Sequence, residues 1–144
     1  MKMDKQTMNK QSGFSLIELM VVIAIIAGLV AMVAPNIIGS AGEARVETAK
    51  AEMANISSAL SMYKLNNFTY PSTSQGIEAL VSKPSGSPEP KNYKEGGYLP
   101  KLPTDPWGNA YLYLSKQGKF EIISFGADSE EGGEGDAADI SSLD

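Results

Sequence analysis

The sequence predicts an α+β chain: a long N-terminal helix, wholly apolar in its first half and amphipathic in its second, packed on a small antiparallel sheet. A proline-rich loop and a glycine-rich acidic C-terminal loop complete the domain. Three observations carry this prediction. Phe14 to Ala34 holds only two polar side chains, Ser15 and Glu18. Beyond Pro35, apolar residues recur at helical spacing, and from Tyr111 onward two aromatic and aliphatic runs flank a turn sequence.

The first element is the apolar stretch. At 1.5 Å per residue, Phe14 to Ala34 spans roughly 31 Å as a helix, close to the thickness of one hydrocarbon core. Glu18 is its anomaly, because an ionised acid within a membrane segment costs on the order of 2–3 kcal/mol unless it finds a partner. Upstream, residues 1–13 are polar and carry Lys2, Lys5 and Lys10 against Asp4. Such a basic leader places itself in the cytoplasm and residues 35–144 on the far side, in a single pass. A secretory signal with a removed hydrophobic region fits poorly: no A-x-A site stands near Ala34, Pro35 follows at once, and Glu18 interrupts the apolar run. The stretch therefore reads as a retained anchor. Ser15-x-x-Glu18 also fits a capping box, in which Glu18 closes its own helix.

Composition narrows the chemistry. The chain has 144 residues, no cysteine and no histidine, and a formal net charge of −5. Without cysteine no disulfide can staple a small domain, and without histidine the commonest general base and zinc ligand are missing. No nucleophile and base stand out as a pair, and no basic stripe offers a nucleic-acid surface. From Asp128 to the end there are seven acids and no base.

Pro35 removes an N–H and crowds the preceding turn, and Gly28 is a second weak point, so the helix is expected to bend or open there. Next, Val46, Ala49, Met53, Ile56, Leu60 and Tyr63 form one helical stripe suited to covering a sheet, with Glu43, Arg45, Glu47, Lys50 and Glu52 on other faces. Asn66-Asn67 marks the expected end. Residues 70–81 read as a turn and a short helix from about Ser74, with Ile77, Leu80 and Val81 available for burial. Six of the eight prolines lie between 84 and 106, which excludes a long helix or central strand there. Asp105 to Asn109 reads as a tight turn with Trp107 as a buried anchor. Tyr111–Leu114 and Phe120–Phe125 read as strands around a turn at 115–118.

The acidic end places six acids in residues 128–139, among glycines. Such a run is either a solvated tail or an oxygen-rich loop for a hard cation, which takes six to eight oxygen ligands. It is neither an EF-hand nor an in-register calcium nonapeptide, since Ala137 stands where the latter requires aspartate.

The string Gly13-Phe14-Ser15-Leu16-Ile17-Glu18-Leu19, followed by an apolar run and Pro35, resembles the signal of type IV pilins and pseudopilins. Two further blocks are similar to the major pseudopilins of type II secretion: Tyr70-Pro71 with Gln75 to Leu80, and Gly97 to Tyr111. So is the end, G-A-D-x-x-x-G-G-x-G-x-x-A-D-I from Gly126 to Ile140. The resemblance implies a pilin-like fold with three segments: a cleaved leader (1–13), a transmembrane helix (14–34) and a periplasmic domain (35–144). It implies cleavage between Gly13 and Phe14 by a prepilin peptidase, methylation of the Phe14 amine, and pairing of Glu18 with that amine on a neighbouring subunit. It also implies a structural calcium held by Asp128, Asp136 and Asp139, with the Phe125 carbonyl and Ser129. The implied role is structural, not enzymatic: an inner-membrane protein forming a homopolymeric periplasmic filament for protein export. Its implied partners are minor pseudopilins and the inner-membrane assembly platform. A type IV pilin for adhesion, motility or DNA uptake is the alternative, against which stand the missing cysteine pair and the acidic loop.

Overall fold

The structure, a computed structural model, describes residues 13–144; of the leader assigned to 1–13, residues 1–12 lie outside the described residues. The chain falls into two compact units, Met1–Ile38 and Gly39–Asp144. One α-helix, α1 (Leu16–Asn67), contributes to both. In the first unit, Leu16–Val33 is long and apolar enough to cross a membrane, and none of it is buried within the chain. The helix does not open at Pro35. A proline removes only its own bond to the carbonyl four residues back, at Ala31, and the rungs on either side carry the helix past it.

In the second unit, the predicted stripe is the core face. Ala49, Met53, Ile56, Leu60 and Tyr63 are buried, joined by Ala59, with Val46 half-buried at the upper end. α1 ends at Asn67, as the asparagine pair predicts, and Phe68 follows at φ 67° with its N–H on the Lys64 carbonyl, a left-handed stop. Asn67 is buried at the junction. Its amide donates to the Tyr63 carbonyl and the Tyr98 hydroxyl, and its side-chain oxygen accepts from the Asn92 N–H.

The helix expected from Ser74 is shorter and tighter than predicted, a single 3-10 turn at Ile77–Leu80. Gly76, at φ 64°, places a left-handed residue where an α-helix would need its first turn. Ile77 and Leu80 are buried as predicted, but Ala79 takes the third place and Val81 is only half-buried. The Leu80 carbonyl then receives the N–H groups of Tyr98 and Leu99 at 2.6 and 2.9 Å. Gly97 permits this approach: a Cβ there would stand 2.6 Å from the Val81 carbonyl oxygen and 2.8 Å from that of Leu80.

The sheet has three antiparallel strands in the order β1 (Leu112–Lys116), β2 (Lys119–Ser124), β3 (Ile140–Ser141). The predicted strand boundaries move by one or two residues, because the hairpin turns on Gln117 and Gly118 alone. Both have positive φ, 53° and 75°, which is the two-residue turn whose twist suits a hairpin. Tyr111, Tyr113 and Ile122 point inward, while Leu112 and Leu114 face out. The open edge of β1 is closed by one side chain: Thr73 Oγ1 accepts from the Ser115 N–H at 2.8 Å and reaches the Ser115 carbonyl at 3.2 Å. β3 was not expected from sequence; it pairs Ile140 with Ser124 and buries Ile140.

One buried carboxylate ties the proline-rich loop to this sheet. Asp105 is 3% exposed. Its Oδ1 accepts from the N–H groups of Trp107 (3.1 Å) and Asn109 (2.7 Å), and its Oδ2 accepts from the Ser124 hydroxyl at 2.6 Å. The predicted tight turn at 105–109 is thus organised from within. Trp107 packs half-buried against the core.

Removing the Asp105 carboxylate would strand two N–H donors and a buried hydroxyl, so Asp105→Ala is expected to lower unfolding free energy by about 3 kcal/mol in urea titration. A loss below the scatter of surface substitutions would contradict this account. A second expectation concerns alkali. Burial first, then the neighbouring tyrosines Tyr98 and Tyr93, push the Tyr63 hydroxyl up from 10.0 to about 12. Burial, then the hydrogen bond to Glu52, pushes Tyr111 up as well. A raised folded-state value means the stability contribution is intact below pH 10 and is lost as pH rises through the folded value. Melting temperature should therefore hold up to about pH 10 and fall steeply towards pH 12. Tyrosinate absorbance should rise for Tyr63 and Tyr111 only with unfolding.

Candidate functional site

Two places gather the residues singled out by the sequence. The first is the tip of α1. Ser15 is the residue before the helix, and its hydroxyl accepts the Ile17 N–H at 3.3 Å. Glu18 reaches back, its Oε2 accepting the Ser15 N–H at 2.8 Å. This is the reciprocal capping box, and it satisfies two of the donors that open every helix. Phe14 lies one residue upstream, 94% exposed. Phe14, Ile17, Val21 and Val22 line one mostly apolar surface together with Glu18. A carboxylate has several acceptor positions, so one bond through Oε2 does not exhaust what Glu18 can accept. Gly13, beside Phe14, has open space around its α-carbon.

The second place is the acidic loop between β2 and β3. The Asp105 network leads into it: the Ser124 hydroxyl accepts the Gly126 N–H at 3.3 Å, and Asn109 Nδ2 donates to the Gly126 carbonyl at 3.2 Å. Phe125, half-buried, lies between those anchors. From there the loop leaves and returns on itself. The Ala127 N–H donates to the Asp136 carbonyl at 2.9 Å, and Gly126 lets that carbonyl come close, since a Cβ there would stand 2.7 Å from it. A 3-10 turn at Gly135–Ala137 precedes β3.

The acids occupy distinct positions in this frame. Asp128 Oδ1 accepts the Glu130 N–H at 3.1 Å, and Asp139 Oδ2 accepts the Gly132 N–H at 3.0 Å. These two carboxylates, one at each end of the loop, hold neighbouring stretches of it, and each has a second oxygen beyond that bond. Ser129 is exposed at φ 61° beside Asp128. Asp136 takes a different course, with its carboxylate against the α-carbon of Gly42 in α1. Among the described residues, no three acidic side chains gather closely enough to hold one ion. The donor chemistry, carboxylates with main-chain carbonyls on a glycine-rich loop, fits a hard cation.

Sequence reasoning missed Asp105, Asn109, Ser124 and Gly42 as parts of this frame. Asp105 and Asn109 left a trace, as the two ends of the predicted tight turn. Glu52, expected on a face other than the apolar stripe, is half-buried and accepts the Tyr111 hydroxyl at 2.8 Å, tying α1 to the entry of β1.

The family model for Type II secretion system (T2SS), protein G, matches residues 36–143, and that for the prokaryotic N-terminal methylation motif matches residues 8–34. The chain is 53% identical over 137 residues to the type II secretion system core protein G of Pseudomonas aeruginosa, covering 94% of this chain and 96% of the relative. It is 50% identical over 135 residues to that of Vibrio cholerae, covering 92% of each. It is also similar to the crystal structure of the major pseudopilin from the type 2 secretion system of enterohaemorrhagic Escherichia coli. That likeness has a TM-score of 0.65 and 39% identity over 74% of this chain and 93% of the other.

Proposed function

The chain belongs to the type II secretion system protein G family, and on that premise we propose that it is the major pseudopilin of such a system, a structural subunit and not an enzyme. The observation that carries this reading is the match of nearly the whole chain to core protein G relatives, together with the likeness of its domain to a major pseudopilin. The matches go to secretion proteins, which favours this reading over a type IV pilin for adhesion, motility or DNA uptake.

The chain is a membrane-anchored subunit through its apolar helix. We infer the finer steps. Cleavage after Gly13 in the inner membrane frees a Phe14 amine, which is then methylated. The cation stands where the helix dipole is already positive, and the Glu18 carboxylate four residues on is its natural partner. In low dielectric an unpaired Glu18 is costly, so the amine of a neighbouring subunit sets axial register as subunits add. Subunits enter from the inner membrane, with an assembly platform and minor pseudopilins as partners, and build a periplasmic filament that helps folded proteins across the outer membrane.

The acidic loop supports a calcium reading. Asp128 and Asp139 would supply carboxylates, and Phe125 and Ser129 main-chain or hydroxyl oxygens. When bound, the ion would neutralise clustered acids and pin the loop to β2 and β3. Asp136 would take part only by leaving its place on Gly42.

Mass spectrometry of the mature protein should find methylated Phe14 at the amino terminus; any other terminus removes the assembly argument. Glu18→Ala should still be cut after Gly13 yet assemble poorly, and normal filaments from it would exclude the register role. For the loop, full-length protein in detergent should melt at clearly higher temperature in calcium than in chelator, the stabilisation being about 2.7 kcal/mol at a hundredfold excess over Kd. Asp128→Ala should remove that difference. Equal melting of the unaltered protein in both conditions would reject the site.

A further inference from the structure

The buried stripe on α1 has one more position than its apolar residues indicate. Read backwards from Tyr63 through Leu60, Ile56, Met53, Ala49 and Val46, alternating steps of three and four lead to position 42, which is glycine. Gly42 is buried, whereas Ala41, Glu43, Ala44 and Arg45 around it are exposed. What occupies its face is the acidic loop: a Cβ built on Gly42 would fall inside the Asp136 carboxylate. A row that would otherwise carry an apolar side chain thus ends in a gap that admits a carboxylate.

Asp136 also ties the loop to itself. Its carbonyl accepts the Ala127 N–H at 2.9 Å, next to Asp128. It lies in the 3-10 turn Gly135–Ala137, three residues from Asp139. Whatever displaces the Asp136 side chain therefore acts on the main chain between the two carboxylates that face the loop.

We propose that Gly42 is the seat on α1 that positions the acidic loop, and that through Asp136 it sets the affinity of the loop for calcium. The second half rests on the calcium reading above. The seat makes Asp136 a positioning residue, held from the helix side, rather than a residue that must contact the ion. It also couples the loop to α1 two turns beyond Pro35.

The substitution Gly42→Ala separates the two effects of a methyl group at this place. In a helix interior, alanine is favoured over glycine. The group it would push aside is the far end of a side chain, so the fold itself should tolerate it. Full-length protein in detergent would be titrated with calcium chloride while its melting temperature is followed. Gly42→Ala is expected to melt at or above the unaltered protein in chelator, yet to need at least about tenfold more calcium to reach the midpoint of the stabilisation. A uniform shift at every calcium concentration would mean that Gly42 is only a helix residue, and would overturn the proposal.

A second variant guards the route. If the effect passes through the Asp136 side chain, adding Gly42→Ala to Asp136→Gly should change the calcium midpoint no further. Additive losses would overturn it. Should the unaltered protein show no response to calcium, the calcium reading fails, and the seat is read from amide hydrogen exchange in chelator. Faster exchange at Ala127 and Ala138 in Gly42→Ala would uphold it, and unchanged exchange would overturn it.

Discussion

The domain depends on a charge placed where charges are costly. Asp105 is buried and, among the described residues, makes no ion pair. A carboxylate in such a position is tolerated only when it is hydrogen-bonded. Here two main-chain N–H groups of its own turn and the hydroxyl of Ser124 donate to it. The consequence is structural reach. A proline-rich segment has few N–H groups for a sheet and cannot form a helix, so it needs an acceptor from elsewhere to fix its path. Asp105 supplies it, and Asn109 hands the same constraint on to Gly126 at the mouth of the acidic loop. The loop starts from a fixed point because a buried acid upstream is satisfied.

Glu18 poses the same problem at the other end of the chain and answers it differently. Within one chain, its Oε2 closes the Ser15 N–H in a capping box. Helix capping and pairing with a neighbour's amine were alternative readings of the sequence, but the geometry makes them compatible. A main-chain N–H uses one lone pair of one oxygen, and a carboxylate can accept several more hydrogen bonds. A capped Glu18 is also preorganised: its rotamer is already held, so an arriving cation does not have to order it. In the proposed assembly, the local bond would therefore favour the inter-subunit one rather than compete with it.

Much of this was legible in the sequence, and what was not has a physical reason. The stripe from Val46 to Tyr63 and the end of α1 at Asn67 follow from periodicity and turn residues, which act over a few positions. The hairpin was legible in kind but not in register, since its boundaries depend on Gln117 accepting positive φ, unusual for its residue type. β3 is only two residues long, so no alternation announced it. Glu52 and Thr73 were illegible because their partners lie 59 and 42 residues away. The acids of the loop were legible as a set. Where each of them lies is decided by glycine-permitted backbone approaches, and the turn of Asp136 towards Gly42 could not be read from spacing.

The absence of cysteine gives the acidic loop its significance. The last strand has two residues and is fixed to β2 by short pairing, by the Ser142 N–H on the Ile122 carbonyl, and by the burial of Ile140. Immediately before it, six acids are confined to twelve residues with no base among them. Their mutual repulsion opposes the closure that the strand requires, and two carboxylates spent on main-chain N–H groups do not cancel it. A disulfide would hold such an end against repulsion without neutralising anything. A bound dication would lower the repulsion and close the loop in one step, and its oxygen ligands are the groups that repel in its absence. On energetic grounds, the same residues that make the tail unstable alone make it a suitable place for an ion, which is why composition by itself could not decide between a solvated tail and a metal loop.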